Sequence, residues 1–180
     1  MISDTVLAIA KGKLGDKASD LKVALMHSAA FNYLERSGKI VYQPINNIIP
    51  IYSQTNFLGA NGNGLVPTCA GLVLVQTDNI AAEFASSVYK YPTYLLGASA
   101  MGLYFQRNLT VAYQRDELTG GGYTSIVPRF DFVMCLHGVS YTETTDPQLY
   151  TSAALKTTSN YTLKWNQKNV KAVRVLTKVA

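Results

Sequence analysis

The sequence predicts an α+β fold, in which helices and a strand alternate over the first forty residues and strands dominate afterwards. Three observations carry that reading. Ser3 and Ser28 each precede apolar residues at helical spacing. Short apolar or β-branched runs, bounded by Gly, Pro and Asn, follow from residue 48 onward. Two longer strand-like runs flank a polar, glycine-rich loop at 116–122.

In chain order, Ser3 caps a first helix carrying Val6, Leu7, Ala10 and Leu14 on one side, and Gly15-Asp16 stops or kinks it. Leu21 to Met26 alternates like a half-buried strand. Ser28 is the expected N-cap of a helix over Ala29–Arg36, with Ala30, Phe31 and Leu34 inward and Gly38 at the left-handed C′ position. Ile48–Tyr52 and Ala70–Val75 read as strands on either side of the turn-forming loop at 59–64. After Thr93–Leu96, the small residues Gly97–Gly102 are expected to form a short buried helix. Leu109–Gln114 and Ser125–Met134 form a long hairpin around Asp116–Gly122, and Val170–Val179 is a last strand.

With 180 residues the chain suits one domain or two small lobes. Hydrophobic residues make up 48% and charged residues 15%, against about a quarter charged in ordinary soluble domains. Disorder is excluded, because it needs low hydrophobicity and high charge. The uncharged stretch Ile40–Thr77 is broken by Pro44, Pro50 and Pro67 and by Asn and Gly, so no membrane-spanning helix is expected. Nor does the N-terminus show a basic segment followed by an apolar run, and no secretory signal is expected.

Charge is unevenly distributed. Between Val41 and Gln106 there are only three charges, Asp78, Glu83 and Lys90. The same stretch is rich in aromatic residues, among them Phe57, Tyr89, Tyr91 and Tyr94. A surface this poor in charge needs a cover, and tyrosine is enriched where surfaces are covered. Phe57, Asn61, Tyr89, Tyr91 and Tyr94 are therefore the candidate subunit-interface residues, against the alternative of a β-rich core with uncharged loops. From Lys156 onward come six cations and no acid. Lys164, Lys168, Lys171, Arg174 and Lys178 form either a solvated face or a salt-sensitive contact with a polyanion.

Catalytic and metal chemistry finds little support. The 59–64 loop lacks the Lys and Ser/Thr of a phosphate loop. His27 and His137 are the only histidines and stand at no metal-ligand spacing. Cys135 lies two residues before His137 without forming an activated pair by default, and Cys69 and Cys135 make no disulfide framework. No enzyme and no cofactor are expected.

Several segments carry, in order, a resemblance to one known family. Leu14-Gly15-Asp16 through Leu21, then Met26-His27-Ser28 and Phe31-Asn32-Tyr33-Leu34, resembles a family segment in which a helix ending Leu-Gly-Asp leads to a strand ending Met-His-Ser. Tyr94-Leu95-Leu96-Gly97 through Gly102 resembles its Tyr-Leu-Phe-Gly-x-Gly-Ala-Ile run. Arg115-Asp116-Glu117-Leu118, Gly120-Gly121-Gly122 and Val127–Met134 resemble its Arg-Asp-x-Leu, glycine loop and Arg-Arg-x-Phe strand. His137-Gly138-Val139-Ser140-Tyr141 and Lys168-Asn169-Val170-Lys171 complete the order, and together these segments resemble the major capsid proteins of tailed bacteriophages. Two departures stand out: the histidine of the family's His-Pro-x-Gly-Val is displaced here, and its acidic pair after the apolar strand is Gln76-Thr77-Asp78.

The resemblance implies the tailed-phage capsid fold, with residues 1–21 ending a spine helix, an axial domain over about 22–125, and peripheral strands over 126–180. It implies a coat subunit that assembles with itself into pentamers and hexamers enclosing double-stranded DNA, without membrane involvement. Portal, scaffold or decoration proteins are further partners it implies, with assembly in the bacterial host cytoplasm and residence in the virion. It also implies parts ahead of the Leu-Gly-Asp segment, so the chain reads as a piece of a longer coat protein. Two other readings stay open: an encapsulin-like shell around enzymes, and a ligand-binding domain with Asn61, Asn63 and Tyr94 at a pocket.

Overall fold

The structure is a computed structural model that describes residues 1–44, 65–85, 87–116, 121–142 and 151–178. It is a mixed α+β chain falling into two compact units, one of residues 1–100 with 163–180 and the other of residues 101–162. The expected boundary at about 125 falls within a strand of the second unit. The expected strand Ile48–Tyr52, the 59–64 loop, Phe57, Asn61 and Asn63 lie outside the described residues.

The first unit opens with helix α1 (Asp4–Gly12), whose first turn is closed by Ser3 Oγ accepting from the Val6 N–H at 3.2 Å. Leu7 and Ala10 face the core. At the expected break, Gly15 takes a positive φ of 57° and opens a 3₁₀ turn over Gly15–Asp20. Strand β1 (Leu21–Met26) follows, then helix α2 (Ser28–Arg36). The N-cap of α2 is His27 rather than the expected Ser28: its Nδ1 accepts from the Ala29 N–H at 3.0 Å. An imidazole nitrogen supplies the lone pair usually given by a hydroxyl, which moves the helix start one residue earlier. The C-terminus is as expected. Gly38 has φ 64°, and the N–H groups of Lys39 and Gly38 close on the Leu34 and Glu35 carbonyls, the double bond of a Schellman cap.

Strands β2 (Val41–Pro44), β3 (Leu65–Cys69), β4 (Leu72–Gln76), β5 (Glu83–Ala85) and β6 (Val88–Gly97) come next, with β11 (Ala172–Lys178) closing the chain. They form with β1 a seven-stranded sheet ordered β11-β6-β1-β4-β3-β2, with β5 paired to β6. Only β1 and β4 run parallel among these pairs; the others are antiparallel. Ala70 is not in a strand, contrary to expectation. With Gly71 it makes a two-residue turn in which both φ values are positive, 51° and 72°, joining β3 to β4. The expected helix over Gly97–Gly102 is replaced by the end of β6, a turn over 98–100 in which Ser99 takes φ 61°, and the start of the next strand. The last strand starts at Ala172, as Val170 ends a 3₁₀ turn and Lys171 is left-handed.

Cross-strand partners share a face, so the register sorts the sheet's residues. Ala24, Leu74, Leu95 and Val173 fall on one face, where Leu7, Ala10, Ala30, Phe31 and Leu34 of the two helices complete the core. The opposite face carries Val23, Leu25, Val73, Val75, Tyr94 and Leu96, most of them only half-buried. Thr93 lies on the core face, fully buried, and its Oγ1 makes no hydrogen bond among the described residues. Removing an unpaired buried hydroxyl while keeping its shape relieves a desolvation cost. Thr93→Val is therefore expected to raise stability by about 1 kcal/mol in urea unfolding, with a loss of stability counting against the assignment.

The second unit is built on β7 (Met101–Asp116) and β8 (Tyr123–Leu136), the expected hairpin, longer at the root than the sequence indicates. Its strands pair from Met101↔Leu136 to Asp116↔Tyr123, with bulges around Arg107. Beyond it lie β9 (Val139–Tyr141), the short helix α3 (Ser152–Lys156) and β10 (Tyr161–Leu163), the last paired with β9. Among the described residues, no helix is long and apolar enough to cross a membrane.

Candidate functional site

Among the described residues, most of the exposed large apolar side chains lie on the hairpin β7–β8. Its register places Leu103 opposite Met134 and Phe105 opposite Phe132 on one face, and Tyr104 opposite Val133 on the other. Phe105 is 61% exposed and Tyr113, near the tip, 71%. Leu103, Tyr104, Phe132, Val133 and Met134 are exposed as well, so both faces present large apolar side chains. Phe130 stacks on Phe132 with ring centroids 5.7 Å apart, and Arg107 Nε lies 3.3 Å from Asp131 Oδ2. A lone two-stranded hairpin is marginal in water, and contiguous apolar surface of this kind marks an interaction site. None of these residues is among the candidate interface residues read from the sequence, although Tyr104 and Phe105 belong to the charge-poor aromatic stretch and 130–134 to the second strand of the expected hairpin. What the sequence hides is which of these side chains stay exposed.

The expected interface residues are dispersed. Tyr89 is exposed on β6, with its ring 5.0 Å from that of Phe84. Tyr91 packs against the core cluster and lies 4.9 Å, ring to ring, from His27, so its contacts are within the chain. Tyr94 sits half-buried on the sheet face away from the helices, opposite Leu25 and Arg174.

The cations of the C-terminal stretch are partly engaged. Lys168 Nζ is 3.4 Å from Asp16, Lys171 Nζ 3.2 Å from Asp20, and Arg174 pairs with Glu83. Lys164 and Lys178 are exposed. Asp16 accepts a hydrogen bond from Lys168, which together with the ammonium charge lowers its pKa. These pairs tie the two 3₁₀ turns, Gly15–Asp20 and Gln167–Val170, to one another. Gly97 is pressed against the same place: a Cβ there would lie 2.8 Å from the Asp20 carbonyl oxygen and 2.9 Å from Lys171 Cβ. The turns enclose a solvent-open cleft of about 390 Å³ lined by Lys17, Trp165, Asn166, Asn169 and Lys171.

Both histidines have partners within the chain. His27 Nδ1 caps α2, and its Nε2 is 3.7 Å from Asp78 Oδ1. His137 Nε2 lies 3.3 Å from the Tyr104 hydroxyl. Burial raises the pKa of Cys69, which disfavours a thiolate there. Among the described residues no group of His, Cys, Asp or Glu has the arrangement of a metal site.

Asp78 accepts from the Ser28 N–H at 3.2 Å, and hydrogen bonding with Ser28 holds its carboxyl below the ordinary carboxylate range. A carboxylate with a depressed folded pKa contributes stability that is present above its unfolded pKa of about 3.9 and is lost as pH falls through the lower folded value. Asp78→Asn is accordingly expected to lower stability at neutral pH, with its difference from wild type shrinking below about pH 4. An equal difference at pH 7 and pH 3 would show that the carboxylate charge has no part in it.

No protein-family model matches the chain, and no curated protein matches it.

Proposed function

We propose that this chain is a shell-forming coat subunit of the tailed-phage type, which assembles with copies of itself into capsomers around double-stranded DNA. The observation that carries the proposal is the hairpin β7–β8, whose two faces expose Leu103, Tyr104, Phe105, Phe132, Val133 and Met134 in a chain that is 15% charged. Such surface is costly on a solitary protein and becomes useful when neighbouring copies cover it. The ordered sequence similarities from Leu14 to Lys171 point to the same family. The half-buried sheet face around Tyr94 and the exposed Tyr89 supply further apolar area in the first unit.

The mechanism follows from symmetry. A head-to-tail contact closes into a ring when its rotation divides the circle, and many modest contacts then sum to a stable shell. No reacting group is needed. Lys164 and Lys178, with the partly neutralised Lys168, Lys171 and Arg174, would meet packaged DNA through sequence-blind, salt-sensitive attraction. Virion residence and contacts with portal, scaffold or decoration proteins belong to the same proposal.

Negative-stain images of the purified chain, taken across a concentration series, test it. Rings of five or six subunits or closed shells are expected, and co-purifying double-stranded DNA rather than enclosed protein identifies the cargo. A chain that stays monomeric at every concentration contradicts the proposal.

A further inference from the structure

We infer that Asp16, Asp20 and Glu83 form an internal shield over the basic C-terminal stretch, holding its attraction for nucleic acid below what its cations alone would give. The inference rests on the proposal that this stretch meets double-stranded DNA, and it adds how that contact is limited.

From Lys156 onward the sequence carries six cations and no acid. The fold alters that balance by bringing acids from elsewhere in the chain. Lys168, in the 3₁₀ turn Gln167–Val170, lies 3.4 Å from Asp16. Lys171, the left-handed residue after that turn, lies 3.2 Å from Asp20. Arg174, in β11, pairs with Glu83 of β5. One turn, Gly15–Asp20, thus supplies two of the three carboxylates. The three cations stand three residues apart, and each meets its own acid. The charge on Asp16 answers to more than one cation: Lys168 acts on it by hydrogen bond and by charge, and Lys17 by charge.

Folding alone gives little reason for these pairs. Their side chains are between 34% and 73% exposed, and ion pairs so open to water add little to stability. The last strand has a firmer hold in its ladder with β6 from Ala172 to Lys178, and in Val173 and Val175, which pack against the core. For a polyanion the same pairs matter more. A phosphate drawn to Lys168 is repelled by the carboxylate beside it, and opposite charges side by side largely cancel at longer range. Affinity for DNA and its salt dependence both grow with the number of phosphates neutralised. Cancelling three of six cations therefore leaves a face that holds nucleic acid weakly and reversibly. Because Lys168 keeps the Asp16 carboxyl below the ordinary carboxylate range, this part of the shield stays charged in mildly acidic conditions.

The test is fluorescence anisotropy of a short labelled DNA duplex of arbitrary sequence, titrated with the full chain over a salt series. Asp16→Asn, Asp20→Asn and Glu83→Gln, made singly, are each expected to tighten binding and to steepen the slope of log affinity against log salt by about 0.9. The triple variant is expected to bind most tightly, its advantage over wild type shrinking about 40-fold between 50 and 200 mM salt. Glu35→Gln removes one negative charge from α2, where Glu35 accepts from the Tyr42 hydroxyl, and is expected to leave the slope unchanged. Adding Lys168→Gln, Lys171→Gln and Arg174→Gln to the triple variant is expected to abolish its gain, whereas the same three changes in the wild-type chain have little effect. Acid variants that bind as the wild type does, or a Glu35→Gln chain that gains as much as Asp20→Asn, would overturn the inference. If neither wild type nor triple variant binds the duplex at low salt, the shield and the DNA contact fall together, while imaging of assembled particles decides the shell reading separately.

Discussion

Phe105→Asp and Tyr113→Asp, made singly, are expected to abolish assembly while leaving the seven-stranded sheet folded. Phe105 lies near the root of the β7–β8 hairpin and Tyr113 near its tip, and both are among the most exposed aromatic residues of the chain. Buried aromatic anchors at protein interfaces commonly contribute 2 kcal/mol or more each, so one carboxylate in such a contact costs about that or more. A cost of about 1.4 kcal/mol already raises the concentration needed for a contact tenfold. In a ring or shell the same loss recurs at every copy, and the assembly threshold moves far out of the working range. Folding is affected little, because an exposed substitution away from special contacts changes stability by roughly 0.5 kcal/mol or less. Light scattering would read the first effect and urea unfolding the second. Variants that assemble at the wild-type concentration would show that the hairpin faces are not what copies bury.

The second large effect lies in the core. Leu95 is fully buried in β6, with Ala24 of β1 on one side and Val173 of β11 on the other. It belongs to the cluster that includes Leu7, Phe31, Leu34 and Leu74, which joins both helices to the middle of the sheet. Leu95→Ala removes its methyl groups and leaves a cavity that a sheet strand paired on both edges relaxes into poorly. The expected loss is about 2–5 kcal/mol, a large fraction of the roughly 5–15 kcal/mol that holds an ordinary domain folded. Calorimetry would show a Tm lower by roughly 5–20 °C. A change under about 1 kcal/mol would contradict the placement of Leu95 at the centre of the core.

What the sequence made legible was mostly local. Ser3 capped its helix as expected, Gly38 took the left-handed position, and the hairpin around the glycine loop was found, because each signal is carried by one or two neighbouring residues. The misses share a cause. Ala70 and Ser99 occupy positive φ without being glycine, so tertiary context rather than propensity makes those turns. His27 capping α2 instead of Ser28 depends on its ring being held between Tyr91 and Asp78, both distant in sequence. Pro92 argues against a central strand, yet β6 is one; the β1 ladder ends at Thr93, so Pro92 lies beyond it.

The same logic governs the candidate surfaces. Tyrosine-rich, charge-poor sequence announced that something is covered, but not what, and Tyr91 turned out to pack within its own chain. Which hairpin side chains stay exposed depends on tertiary packing, and no local pattern encodes that. The Trp165 cleft needs Lys17 brought beside the last 3₁₀ turn from the other end of the sequence, through Lys168–Asp16 and Lys171–Asp20.

The central claim is that copies of this chain bury the β7–β8 hairpin, and amide hydrogen exchange read by mass spectrometry tests it most directly. The account predicts fast exchange in residues 101–116 and 123–136 at low concentration, where the exposed apolar faces of a two-stranded hairpin are not yet covered by other copies. It predicts strong protection of the same segments once particles form, with β1, β4 and β6 equally protected in both states. Particles that form while the hairpin amides keep exchanging at the monomer's rate would contradict it.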